Sequence, residues 1–130
     1  MNYFKSTVLK GRSFEDAVAT VKEELQKEGF GIPAEVNMSD IFKAKLDVDF
    51  RKYVILGACN PSYAIKAVQS EKNLGVLLPC SVVVQEHENG EIEVAAVDAL
   101  ASMMAVENNT VQQIAIEISR KLENVIANLS

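Results

Sequence analysis

The stretch from residue 52 to Pro61 constrains the fold of this chain more than any other. Residues 53–58 are almost all apolar and lead into Cys59, a pattern that predicts a strand with both faces at least partly covered. Asn60 and Pro61 follow; asparagine is a favoured helix N-cap, and proline at the first helical position gives up only an N–H that has no partner there. The stretch therefore predicts a strand that ends on a thiol and leads at once into a helix over about 61–71.

The second cysteine opens the next predicted strand. Cys80 follows Leu78-Pro79 and begins a valine-rich strand over 80–87. Asn89-Gly90 predicts a two-residue hairpin turn, since both turn positions need positive φ, and the return strand covers 91–97. In that register Glu86 would face Glu93, and Glu88 would face Glu91. After it, Asp98 is expected to cap a short apolar turn over 99–106.

The rest of the chain is predicted to form two more strands and three more helices. Strands are predicted over 2–9 and over 30–38, where Pro33 indicates an edge or irregular start. A helix with Ser13 at its start ends at Gly29, a short helix is capped by Ser39-Asp40, and a long helix over 111–129 is opened by Thr110 with Gln113. Inward-facing side chains are expected at Ile41, Phe42 and Leu46 in the short helix, at Ile65 and Val68 in the helix after Pro61, and at Ile114, Ile118, Leu122, Val125 and Leu129 in the last.

Length and composition indicate one globular domain over residues 1–130. Hydrophobic residues make up 48% and charged residues 24% of the chain, which suits a single buried core without linkers or repeats. The net charge is −5, and the acidic excess lies after residue 57, so no basic stripe is available for nucleic acid or anionic membranes. No apolar run is long enough to span a bilayer and no leader precedes the domain, so a cytoplasmic location is expected.

Two long motifs in this chain carry a family resemblance. Tyr53-Val-Ile-Leu-Gly-Ala-Cys-Asn-Pro61, followed by Gly75-Val-Leu-Leu-Pro-Cys80 and a run of valines, closely resembles the paired signatures of the bacterial and archaeal family known as domain of unknown function 302. The resemblance implies an α+β fold in which a single antiparallel sheet is backed by helices, similar to TATA-binding-protein-like β-α-β arrangements, and a homodimer. It implies no activity. Ser81 stands where many relatives carry asparagine, and Ala99 where proline often follows the aspartate.

The candidate site is a pocket where the two thiols and the start of the helix meet. Its residues are Cys59, Asn60, Pro61, Ser62, Cys80, Ser81 and Asp98. A thiol beside a helix N-terminus is shifted toward thiolate, and free amides there attract anions. The same residues also have structural explanations, since cysteine is often buried as a small apolar side chain and Asn60 can simply cap its own helix.

Two functions follow from this site. We favour a non-enzymatic module that binds a small molecule or an anion; the alternative is a thiol-based redox or soft-metal-responsive protein that uses Cys59 and Cys80. Two thiols and one histidine, His87, do not suffice for a closed zinc site, so no metal or cofactor is expected. His87 is predicted to be a solvated surface residue. Met103 and Met104 either line an apolar cavity or belong to the core or a subunit interface.

Overall fold

The chain forms one five-stranded antiparallel sheet with helices, an α+β architecture, as the sequence predicts. The computed structural model describes residues 2–129. In chain order the elements are β1 (Phe4–Leu9), α1 (Phe14–Lys27), β2 (Gly31–Asn37), α2 (Met38–Leu46), β3 (Tyr53–Cys59), α3 (Pro61–Ser70), a 3-10 turn (Leu74–Leu77), β4 (Cys80–Glu86), β5 (Ile92–Val97), α4 (Ala99–Ser102) and α5 (Asn109–Leu129). The strand order is β1-β5-β4-β3-β2, with β4 at the centre. The likeness to the TATA-binding protein stays a prediction.

The core lies between one face of the sheet and helices α1 and α5. Alternate residues of β3, β4 and β5 are almost fully buried on this face, and α5 contributes the predicted stripe from Ile114 to Leu129, which is confirmed. Helix α1 begins as predicted, with the Ser13 side chain accepting a hydrogen bond from the Asp16 amide. Burying one stripe of each helix against one sheet face is the arrangement that the apolar periodicity of these segments requires.

The interior of the last helix was predicted correctly, but its start was not. Helix α5 begins at Asn109, and the Asn108 side chain accepts a hydrogen bond from the Val111 amide. The capping box predicted from Thr110 and Gln113 is therefore wrong. Asn108 also donates to the Ser70 carbonyl, so this cap joins α5 to the end of α3, a long-range contact that a local sequence pattern does not contain.

Helices α2 and α3 are less buried than their apolar residues predict. No residue of α2 is buried, with Ile41 42% and Leu46 66% exposed, and Ile65 and Val68 of α3 are also exposed. The cap of α2 is Asn37, whose side chain accepts from the Asp40 amide, rather than Ser39-Asp40. The inward orientation predicted for these apolar residues is therefore wrong, because neither helix has a second layer packed on its apolar side.

The β4–β5 hairpin has a longer turn than predicted. The His87 amide donates to the Glu91 carbonyl, and Gly90 has a φ of 85°, so three residues form the turn. This moves the register by one position, and Glu93 pairs with Gln85 instead of Glu86. The facing glutamate pairs expected at this hairpin are therefore wrong.

Candidate functional site

The two cysteines lie beside one another at the start of α3. Ala58 pairs with Cys80 across β3 and β4, which places Cys59 diagonally next to Cys80. Both are free thiols and line a cavity of about 30 Å³, here called the cysteine cavity. The cavity wall is largely apolar, with Phe30, Tyr63 and Met103 among its members. This volume corresponds to about two water molecules, well below the roughly 300 Å³ of a typical small-molecule pocket.

Burial of Cys80 sets its chemistry. Desolvation and, to a smaller extent, the charge of the neighbouring Cys59 raise the pKa of the Cys80 thiol from 9.0 to about 11. The thiol is 6% exposed and stays protonated at neutral pH. Because the thiolate is the nucleophile and the metal ligand, burial suppresses both kinds of reactivity at Cys80.

Asn60 does not cap the helix that it precedes. It is 8% exposed, and its side chain makes no capping bond to α3. Instead Nδ2 donates to the Glu28 carbonyl at 3.2 Å, at the end of α1. A Cβ on the following Gly29, which has a φ of 88°, would lie 3.1 Å from that Nδ2. The side chain therefore joins the start of α3 to the end of α1, and its amide is engaged within the protein.

The other predicted site residues are distributed over different surfaces. Pro61 and Ser62 are exposed at the start of α3. Asp98 caps α4 as predicted, accepting a hydrogen bond from the Ala101 amide at 3.1 Å. Ser81 points away from the helices, into a separate groove. The structure thus brings together Cys59, Asn60 and Cys80, but not the remaining four.

The sheet has a second face that no sequence signal singled out. Helices α1 and α5 pack on one side of the sheet. The alternate strand residues whose side chains point to the other side form what we call the open face. Its members are Phe4, Ser6, Val8, Ala34, Val36, Tyr53, Ile55, Gly57, Ser81, Val83, Gln85, Glu93, Ala95 and Val97, taken from the strand pairings. Most are apolar and partly exposed, whereas the apolar residues of β3, β4 and β5 that face the helices are buried.

A groove of about 400 Å³ crosses the open face over β1, β5 and β4. Its lining consists of Tyr3, Phe4, Tyr53, Ser81, Val83, Gln85, Glu93, Ala95 and Val97. The floor is aliphatic, aromatic rings stand at both ends, and hydrogen-bonding groups come from Ser81, Gln85 and Glu93. This combination of an apolar surface with a few polar groups is typical of small-molecule sites.

Side-chain contacts order one end of the groove. The Arg51 guanidinium lies 4.5 Å from the Phe50 ring centroid and 5.5 Å from that of Tyr53, and its Nε donates to Gln85 Oε1 at 2.9 Å. Glu93 Oε1 lies 2.9 Å from His87 Nε2. His87 is therefore paired rather than simply solvated, which differs from the sequence interpretation.

At Gly57 the open face is covered from within the chain. A Cβ at this position would lie 2.7 Å from Pro79 Cγ and 3.1 Å from the Ala34 Cβ. The Pro79 ring therefore packs directly on the β3 backbone, just before Cys80. Glycine at residue 57 permits this close approach, which separates the groove from the cysteine cavity.

Among residues 2–129 no group of three or more His, Cys, Asp or Glu side chains could hold a metal ion. Over the same residues no helix is both long enough and apolar enough to cross a bilayer.

The fold and the groove define a class of protein: an α+β domain with one layer of helices and one open sheet face. The chain belongs to the family described as domain of unknown function DUF302, whose model matches residues 5–129. It is similar to the crystal structure of an uncharacterised conserved DUF302 protein from Bacillus stearothermophilus, with 22% identity, a TM-score of 0.88 and coverage of 98% of each chain. A search of curated proteins found no match. At this identity the similarity shows the fold.

Proposed function

We propose that the protein is a non-enzymatic binding module that holds a small, mainly apolar organic molecule in the groove on its open face. The observation that carries the proposal is the contrast in size between the two candidate sites. The groove measures about 400 Å³ and the cysteine cavity about 30 Å³, so of these two sites the groove has the volume that a small organic ligand needs. Other surface clefts are as large, but each has two or more charged side chains in its lining. Of the predicted site residues, Ser81 belongs to this groove.

The lining of the groove favours one kind of ligand. Val83, Ala95 and Val97 offer an aliphatic floor, and Tyr3 and Tyr53 offer flat aromatic surfaces. Glu93 is the one formal charge in the lining and is a hydrogen-bond acceptor when ionised. A ligand with an apolar body and one hydrogen-bond donor directed at Glu93 matches this distribution better than the anion expected at the start of α3.

The thiol-based alternative has weaker support. Cys59 is partly exposed and lies next to Cys80, which favours it, but burial raises the pKa of the Cys80 thiol to about 11 and so removes one of the two thiolates that such a function needs. Both cysteines are free, as in proteins of a reducing compartment. We therefore keep the cytoplasmic location as part of the proposal.

The proposal is tested by titration with phenylnaphthylamine, a neutral apolar dye whose fluorescence rises on binding. The wild-type chain is expected to bind it saturably at one site per chain. Ala95→Phe places a ring in the groove and should weaken binding by roughly tenfold or more, since about 1.4 kcal/mol of lost contact has that effect. Ala64→Val narrows the cysteine cavity and serves as the matched control, with affinity unchanged.

Each outcome of the titration decides between the sites. Loss of binding in Ala95→Phe with retention in Ala64→Val supports the groove. The reverse pattern would assign the ligand to the cysteine cavity and overturn the proposal. Wild-type protein that shows no saturable binding would overturn it as well.

A further inference from the structure

The polar end of the groove presents one hydrogen-bond donor and one acceptor on neighbouring strands. Gln85 of β4 pairs directly with Glu93 of β5, and both side chains line the groove. Residues that lie opposite one another in antiparallel strands have Cβ atoms about 5 Å apart, so both side chains can contact one functional group. We infer that the ligand carries a neutral primary carboxamide or lactam that bonds to both residues at once; the inference rests on the function proposed for the groove.

Arg51 determines which end of the Gln85 amide is free for a ligand. Its Nε donates to Gln85 Oε1 at 2.9 Å. A guanidinium has hydrogen-bond donors and no acceptor, so the Gln85 atom that it contacts has to be the amide oxygen rather than the nitrogen. Because this oxygen is already bound, the NH₂ group is the part of Gln85 that is left for a ligand. Gln85 therefore acts as a donor in the groove.

His87 orients the Glu93 carboxylate in a similar way. His87 Nε2 lies 2.9 Å from Glu93 Oε1, and an ionised carboxylate is an acceptor only, so the imidazole nitrogen is the donor of this bond. The second oxygen, Oε2, is left to accept from a ligand. The Glu93 side chain is only 25% exposed, which limits the competition from solvent. Glu93 is therefore the acceptor beside the Gln85 donor.

A donor and an acceptor side by side match the hydrogen-bonding pattern of an amide. In a primary amide or a lactam, the carbonyl oxygen and one N–H point to the same side of the molecule, so the oxygen accepts from Gln85 while the N–H donates to Glu93. An ester or a ketone has no donor for Glu93. An open-chain secondary amide is trans, so its N–H points away from its oxygen. Leaving a partly buried polar group without a partner weakens binding in these cases.

The charges at this end of the groove favour a neutral ligand over a cation. Glu93 alone would attract an ammonium group, but the Arg51 guanidinium is bonded to Gln85, the residue directly opposite Glu93. Arg51 also lies 4.5 Å and 5.5 Å from the ring centroids of Phe50 and Tyr53, which holds its charge in place. A bound cation would be repelled by this charge at short range. A neutral amide avoids the repulsion and keeps both hydrogen bonds.

The remainder of the groove determines the size of the apolar body of the ligand. Four residue steps along β5, from Glu93 to Val97, give an aliphatic floor about 13 Å long at about 3.3 Å per residue. The Tyr53 ring stands in the row of the polar pair. At the other end, Phe4 pairs with Val97 and its ring lies 4.9 Å from that of Tyr3. This length suits an amide carried on two fused aromatic rings or on an alkyl chain of similar length.

The inference is tested by equilibrium dialysis of the full chain with three naphthalene compounds that differ in their polar group. These are 2-naphthamide, N-methyl-2-naphthamide and 2-naphthylmethylamine, which is a cation at neutral pH. The wild type should bind 2-naphthamide more tightly than N-methyl-2-naphthamide by about tenfold or more, because the trans N–H of the methylated amide cannot reach Glu93. The cation should bind more weakly than 2-naphthamide.

Two variants test the residues that are assigned to the amide. Gln85→Met removes the donor at similar side-chain length, and Glu93→Met removes the acceptor; each should weaken 2-naphthamide binding by about tenfold. Gln85→Met should leave the affinity for phenylnaphthylamine unchanged, since this dye has no carbonyl oxygen for the Gln85 NH₂ group. Gln69→Met makes the same substitution at an exposed position of α3 and serves as the matched control, with all affinities unchanged.

Several results would overturn the inference. They are equal affinity of the wild type for the two amides, tighter binding of the cation than of 2-naphthamide, and unchanged 2-naphthamide binding in Gln85→Met. If circular dichroism shows that the variants do not fold, the comparison of the three compounds on the wild type decides alone.

The outcomes separate this inference from the proposed function. Saturable binding of phenylnaphthylamine in the groove without a preference for 2-naphthamide overturns the amide and leaves the function. A wild type that binds neither the dye nor 2-naphthamide overturns the function, and the inference with it.

Discussion

Removing the Cys80 sulfur should remove a large part of the pH dependence of stability above pH 9. The pKa of this thiol is raised from 9.0 to about 11 in the folded protein, so the unfolded chain releases its proton first as the pH rises. Above pH 9 the unfolded state therefore binds fewer protons, and the free energy of unfolding falls with pH until the folded thiol also ionises near pH 11. Below about pH 9 the contribution is fully retained.

The size of the effect follows from the shift of the pKa. Two pKa units correspond to about 3 kcal/mol once both states are ionised, at about 1.4 kcal/mol per unit. At pH 10.5 the folded thiol is still largely protonated, and the loss relative to pH 8 amounts to roughly 2 kcal/mol. Because the thiol is 6% exposed, solvent screening reduces this value little.

The measurement is urea unfolding at pH 8 and pH 10.5, at one protein concentration, followed by far-ultraviolet circular dichroism. For wild type and for Cys80→Ala, the change in the free energy of unfolding between the two pH values is compared. The part of the substitution's effect that does not depend on pH cancels in this comparison. Cys80→Ala should lose roughly 2 kcal/mol less than wild type, and Cys59→Ala should behave much as wild type. Equal losses in wild type and Cys80→Ala would refute the burial argument.

Two further predictions concern packing and capping. Gly57→Ala forces a methyl group against the Pro79 ring at 2.7 Å and should lower the free energy of unfolding by about 1–3 kcal/mol. Gly75→Ala, with open space around its Cβ, is the control and should change the free energy of unfolding by less than ~1 kcal/mol. Equal stability of the two variants in urea would show that Pro79 does not pack tightly on β3. Asn108→Ala removes the cap of α5 and the hydrogen bond to α3 and should lower the free energy of unfolding by about 1–2 kcal/mol. Thr110→Ala should lower it much less. If thermal unfolding shows that Thr110→Ala is the less stable variant, the capping box expected from the sequence is correct after all.

Local signals in the sequence predicted most of the fold. The Ser13 cap, the α5 stripe and the bounds of the strands follow from short-range patterns that the structure confirms. Errors arose where the outcome depends on distant partners. A helical stripe indicates which side of α2 is apolar but not whether anything packs on it. The predicted hairpin turn needs positive φ at both Asn89 and Gly90, and only Gly90 has it, so the turn is longer and the register differs.

The candidate site was predicted less well, for a physical reason. Valines and alanines lie on both faces of β4 and β5, a pattern that indicates a strand covered on both sides. Within the described chain only the helical side is covered, so Val83, Ala95 and Val97 line a groove instead. The sequence left open whether Cys59 and Cys80 are adjacent, and in the structure both line one cavity. The absence of room beside them depends on how Phe30, Met103 and Tyr63 pack, and no motif encodes that packing.

The irregular β2 strand has a consequence for how such a domain associates. It is an outer strand of the sheet, its pairing shifts between Gly31 and Ala34, and Pro33 within that interval lacks an N–H. A neighbouring chain that tried to extend the sheet sideways would meet a bent backbone with a missing donor. Growth into continuous sheets or fibrils is thereby discouraged at this border.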